Sequence, residues 1–310
     1  MDGMDWQAYW GDSGAIRQAV YRPWVLKGCG VALWRRSIAR LRPLFLAPNR
    51  GVMRSCCWSS ATQTISTGSY APADQTGRAG HWRRLVIMGD SLAAGFGEPV
   101  AGLEIVGWGE RLAKLLRHQQ PYLHYTNLAI SGLTTQQIAQ TQLKATTTLK
   151  PDLIVLVAGA NDFLSRQWDR EAFRTTYATL LTDLLGTGAM VVTTTWHNAS
   201  CAVPMPPALA RQFSRRFEAG SAIVREVSEQ RGALCVDFWQ WPDLLDAQCY
   251  SSDRLHPNAC GYLRVAEVLA QALAQQSGWA YQRDSLLTAS ERRTATELAP
   301  LPGGSYTHAL

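Results

Sequence analysis

No apolar run in the sequence approaches the roughly 18 residues that a membrane-spanning helix needs. The 7 cysteines, at 29, 56, 57, 201, 235, 249 and 260, contain no C-x-x-C pair. Metal-ligand spacing is therefore absent, and an odd count argues against a complete disulfide framework. No G-x-x-x-x-G-K is present, and no G-x-G-x-x-G opens a helix after a strand, so nucleotide binding has no support. The N-terminus opens on Asp2 and Asp5, without a basic stretch followed by an apolar one. With no signal peptide legible, a cytoplasmic, reducing location is the expectation, and a Cys201–Cys249 pairing stays open.

Acidic residues are also missing between Asp12 and Asp74. Residues 1–80 hold 10 Lys and Arg against 4 Asp and Glu, while the rest holds 20 of each. The net charge of +6 thus belongs to an N-terminal arm. Such an arm can touch nucleic acid or anionic lipid, but the plainer reading is a solvated tail with no nucleic-acid partner. Its composition faintly resembles a transit peptide, and a true start at Met53 explains it equally well. Residues 1–81 are read as this arm and 277–310 as a flexible tail rich in Pro and Gly.

What is present is a globular body. The chain has 310 residues, 46% apolar and 17% charged, which is ordinary for a folded protein with a sizeable core. From residue 82 to 276, short apolar runs alternate with amphipathic stretches. The runs 84–88, 123–128, 153–157, 190–195 and 233–237 read as strands. The stretches 108–116, 134–146, 170–185, 207–230 and 258–275 read as helices. Five strand–helix alternations predict an α/β domain with a parallel sheet covered on both faces. In such sheets ligands bind beyond the carboxyl ends of the strands.

The residues at those ends carry chemistry. Gly89-Asp90-Ser91-Leu92 follows the first strand, and Asn127 through Gly132 the second. Gly159-Ala160-Asn161-Asp162 follows the third, and Asp253-Arg254-Leu255-His256 precedes the last helix. A Ser hydroxyl is a weak nucleophile until a base takes its proton, and His256 is the candidate base for Ser91. Asp253, three residues earlier, can reach the far ring nitrogen and fix the tautomer, although the gap is unusually short. The N–H groups of Ser91 and Gly132 and the amide of Asn161 can face a developing oxyanion. Gly-x-Ser-x-Gly is missing around Ser91, which argues against the α/β-hydrolase elbow.

These four blocks, in order, resemble the SGNH (GDSL) hydrolase family. Gly95 through Pro99, with Gly107-Trp108, are also similar to its small bacterial esterases. The resemblance implies a flavodoxin-like three-layer α/β/α sandwich around a five-stranded sheet, a monomer, and ester hydrolysis with no cofactor or metal. It also implies Ser91 as nucleophile and oxyanion donor, Gly132 and Asn161 completing the hole, His256 as base and Asp253 as its partner. The expected substrate is a small-molecule acyl ester of small or medium chain. An acyltransferase on the same site, or a binding protein acting through the basic arm, are the competing readings.

Other residues read as structural. Asp90 shapes the nucleophile turn, and Asp162 caps the helix that follows it. Gly11-Asp12-Ser13-Gly14 follows no strand and is coincidence. His197 is placed at the surface or pocket rim. Phe238, Trp239 and Trp241 read as core packing in preference to pocket wall. Residues 202–207 are either a loop over the acyl site or a plain connection.

Overall fold

The apolar runs leave the central strands no face for water, so they must be covered on both sides. In the computed structural model, which describes residues 81–198, 203–240, 247–282, 287–288 and 291–292, five runs become strands. They are β1 (Arg84–Gly89), β2 (His124–Asn127), β3 (Leu153–Val157), β4 (Met190–Thr194) and β5 (Leu234–Val236). Every pairing is parallel, in the order β2-β1-β3-β4-β5. Leu85, Ile87, Leu153, Val155 and Val192 are wholly buried, whereas edge strand β2 is partly exposed.

Seven α-helices surround the sheet among the described residues. They are α1 (Ser91–Ala94), α2 (Trp108–Arg117), α3 (Thr135–Thr148), α4 (Ala160–Leu164), α5 (Arg170–Leu185), α6 (Pro207–Arg231) and α7 (Ala259–Ser277). Helix α2 packs on α7, while α5 packs on both α3 and α6, giving helices on both sides of the sheet. The starts have local causes. Thr134 and Gln137 form a capping box ahead of α3, and Asp169 and Asn258 cap α5 and α7 through two N–H groups each. The α/β class and the five parallel strands expected from the sequence are what the structure has.

Two differences matter. The short helices α1 and α4 follow β1 and β3 within two residues, and neither is among the five helices read from the periodicity. Residues beyond 277 are also not all a loose tail. Trp279 is buried edge-on to Trp82, with ring centroids 6.4 Å apart. Glu291 is buried, and Arg111 Nη1 donates to its carboxylate at 2.8 Å. Hydrogen bonds from Thr288, Glu104 and Arg111 outweigh the cost of burial and hold the Glu291 carboxyl at about 2.

The sheet runs outward in opposite directions from β1 and β3. The ends of these two neighbouring strands therefore flank a crevice at the topological switch point. Ser91 follows one and Asn161 the other.

Candidate active site

The turn that carries Ser91, the candidate nucleophile, is fixed from several sides. Gly89 has φ +147°, and a Cβ there would lie 2.1 Å from the Val157 carbonyl oxygen, so only glycine fits. The Gly89 N–H donates to Gln142 Oε1 and its carbonyl accepts from Gln142 Nε2, both at 2.8 Å. A buried glutamine thus satisfies both polar groups of the last residue of β1. Asp90 caps α1 by accepting from Leu92 N at 3.1 Å. Trp108 Nε1 donates to Leu92 O, and Asn127 Nδ2 to Ala93 O. Ser91 is the first residue of α1 and is partly exposed.

The histidine loop is built differently. Asp253 Oδ1 accepts from the N–H groups of Leu255 and His256 at 2.9 and 3.0 Å, an Asx turn that folds the loop back on itself. Arg254 takes the left-handed conformation, φ 57°, inside this turn. The turn explains the short Asp–His spacing. One carboxylate oxygen holds the backbone, leaving Oδ2 at 2.7 Å from His256 Nδ1. On the other side of the ring, Nε2 lies 2.8 Å from Ser91 Oγ. The three side chains form one hydrogen-bonded line 165 residues apart in sequence at its last link.

Glu98 ties the two parts together, and sequence reasoning missed its role. Its carboxylate accepts from Ser252 N and Ser252 Oγ at 2.9 and 2.6 Å, and its own N–H donates to Ser251 Oγ. Its carbonyl accepts from Ala259 N, at the start of α7. Tyr262 OH donates to Phe96 O at 2.6 Å in the same seam. No local pattern marks these contacts, because each spans more than 150 residues.

Burial pushes both aspartates the same way, but their partners give opposite outcomes. Burial alone would raise the Asp253 carboxyl, but hydrogen bonds and charge from His256, with the two backbone N–H groups, hold it below its ordinary value. Asp90 is fully enclosed, and desolvation pushes it up to about 7 against the pull of Leu92 N–H and His256. Asp162 does not cap the helix after it, as expected, because it lies inside α4. Its Oδ2 accepts from Thr135 N and Oγ1, both at 2.9 Å, and so serves the first turn of α3. Burial raises that carboxyl despite the two bonds.

Asn161 stands in the first turn of α4, after Gly159 at φ +128°. Its Nδ2 donates to Leu133 O at 3.0 Å and to Asp90 Oδ2 at 3.3 Å. Gly132, φ +81°, immediately precedes Leu133, and a Cβ there would meet nothing within 4 Å, so its backbone faces open space. Phe96 and Ile130 are half exposed, at 48% and 49%, and their N–H groups bond to Ser91 O and Gly89 O. Both residues are thus tied through the backbone to the turn that carries Ser91.

His197 departs from its expected surface position. It is buried against the Tyr250 ring, centroids 5.3 Å apart, and burial lowers its imidazole to about 4. Phe238 is core and Trp239 packs against it, while Trp241 lies outside the described residues, as do Gly11 to Gly14. Among the described residues no cluster of three or more His, Cys, Asp or Glu could hold a metal ion. No described helix is long and apolar enough to cross a membrane.

The fold is a doubly covered parallel sheet with these groups at its switch point, and likeness to known proteins makes the chain a carboxylic ester hydrolase. Residues 87–264, more than half of the chain, match the GDSL-like lipase/acylhydrolase family, and the chain belongs to that family. It is 24% identical over 192 residues to an arylesterase of Vibrio mimicus, covering 62% of this chain and 88% of that protein. Among solved structures, an α/β hydrolase enzyme from the metagenome of Lake Arreo, Spain, superposes with a TM-score of 0.51 at 23% identity. It covers 64% of this chain and 97% of that one. An acetylxylan esterase from Geobacillus stearothermophilus gives a TM-score of 0.51 at 19% identity, covering 67% and 99%. These two likenesses concern the fold.

Proposed function

We propose that this chain is a serine esterase hydrolysing small or medium acyl esters through an acyl-enzyme on Ser91. The observation that carries the reading is the continuous line from Asp253 to His256 to Ser91, at 2.7 and 2.8 Å, opening on the switch-point crevice. His256 takes the Ser91 proton as Oγ attacks the ester carbonyl, then returns it to the leaving alcohol. Asp253 holds the ring with Nδ1 protonated and stabilises the imidazolium. Water, activated by the same His256, then releases the acyl group.

The oxyanion forms against Ser91 N–H, Gly132 N–H and Asn161 Nδ2. Both Asn161 hydrogens are engaged at rest, so one must be released to the substrate. The longer contact, 3.3 Å to Asp90, is the one that gives way. Phe96 and Ile130 offer an open apolar platform to the substrate. The arylesterase relative supports a small acyl or aryl ester. The catalytic domain in this reading is residues 82–276, which encloses the family match.

A p-nitrophenyl ester series of increasing chain length, run on wild type beside Ser91→Ala, tests the reading. Wild type should turn over the short esters best, and Ser91→Ala should lose about a millionfold in turnover. Equal rates in the two proteins contradict the proposal.

A further inference from the structure

The stems of the histidine loop each carry a buried cysteine. Cys249 closes the short 3-10 turn 247–249, and Cys260 lies in the first turn of α7. Between them run Tyr250 to Ala259, including Asp253 and His256. Both cysteines carry reduced thiols, and their Sγ atoms are 3.8 Å apart. The stems are already closed by backbone bonds. Asn258 N donates to Cys249 O at 2.9 Å, and Tyr250 and Pro257 form an isolated antiparallel bridge. A Cβ on Gly261 would lie 2.3 Å from Cys249 O, so the turn and the helix pack backbone to backbone. A disulfide needs its sulfurs at about 2.05 Å and its Cα atoms within about 7 Å. The two sulfurs are already in contact, and the stems that carry them are paired through the backbone beside them.

We propose that Cys249 and Cys260 are a disulfide-forming pair that staples the loop carrying Asp253 and His256. With hydrogen peroxide as the oxidant, one thiol loses its proton and its thiolate attacks a peroxide oxygen; the O–O bond breaks, leaving a sulfenic acid, and the departing hydroxide takes up that proton as one water. The second thiol then attacks that sulfur and displaces a second water as the S–S bond forms. Two thiols and one peroxide thus become one disulfide and two waters. A thiol reductant reverses the change. The staple fixes the loop stems at their present spacing, so it raises the temperature at which the histidine loop is lost without moving His256 from Ser91. Cys201, whose pairing with Cys249 the sequence leaves open, lies outside the described residues, and the neighbour of Cys249 among the described cysteines is Cys260, 11 residues away.

The test uses the full chain, oxidised with stoichiometric hydrogen peroxide, alkylated, digested without reductant and mapped by mass spectrometry. The expected result is a peptide pair joining Cys249 to Cys260. Tm should rise by roughly 5 °C, the size that closing a short loop gives in a domain of this size, and dithiothreitol should reverse it. Cys260→Ser and Cys249→Ala should each lose both the link and the shift, while Cys235→Ser keeps them. Either cysteine recovered as an alkylated thiol or joined to Cys201, or a link without a thermal shift, overturns the proposal. Neither readout uses activity, so the cross-link stands or falls apart from the esterase reading.

Discussion

The nucleophile turn and the histidine loop meet at one hydrogen bond but are held by different means. Ser91 is placed by backbone. Gly89, Gln142 and the α1 cap make its position a consequence of how β1 ends between β2 and β3. His256 is placed by side chains. Asp253 folds its loop, and Glu98 ties that loop to the segment after α1. Perturbing the first region should therefore damage folding and activity together. Perturbing the second should damage activity while leaving most of the fold intact.

The largest expected effect that sharpens this contrast is Asp253→Asn. An amide can still accept from Leu255 and His256 N–H, so the turn survives, but it cannot stabilise the imidazolium. Turnover on a p-nitrophenyl ester should fall about 10⁴-fold, with Tm changed by no more than a few degrees. A large Tm loss would mean that the carboxylate is chiefly a structural group. Next is Gln142→Leu, which leaves the Gly89 N–H buried without a partner and its carbonyl with the Ile130 N–H alone. Urea unfolding should show a loss of about 1 to 3 kcal/mol. A fall in turnover without loss of stability would break the distinction between the two regions.

Glu98→Ala is smaller. It removes two hydrogen bonds to Ser252 near the surface, so stability should drop by about 1 kcal/mol. The histidine loop should loosen, lowering turnover about tenfold with KM little changed. A KM change without a turnover change would place Glu98 at the substrate instead.

A further comparison concerns pH and separates the two aspartates. Asp90 rises from its ordinary 3.8 to about 7, because burial disfavours its charge. The folded protein then keeps a proton that the unfolded chain releases, so this group's contribution falls as pH rises from about 4 to 7. Asp253 is held below its ordinary value, so its contribution is present above about pH 4 and is lost on acidification. Asp90→Asn should flatten the decline of Tm between pH 5 and 8, measured by thermal melts. An unchanged slope would show that Asp90 stays ionised in the fold.

Much of this was legible in the sequence, for a physical reason. The strands are short and buried on both faces, so they read as apolar runs, and the chemistry lies directly after them. Ser91, Gly132, Asn161, Asp253 and His256 could all be named from that placement. Gln142 could not, since one buried glutamine in a polar helix looks like its neighbours. The Glu98 clamp, the Asp162 bond to α3 and the Arg111–Glu291 pair depend on long-range contacts with no local period. His197 misled because burial of an imidazole, here by Trp196, Tyr250 and the end of β4, leaves no mark in a single sequence.

The most direct test of an activated Ser91 is reaction of the folded wild type with a fluorophosphonate probe, followed by peptide mapping. One adduct on Ser91, lost in Ser91→Ala and strongly slowed in His256→Ala, is the expected result. An unlabelled Ser91 in a protein that still hydrolyses esters, or an adduct on another serine, would contradict the assignment of the nucleophile.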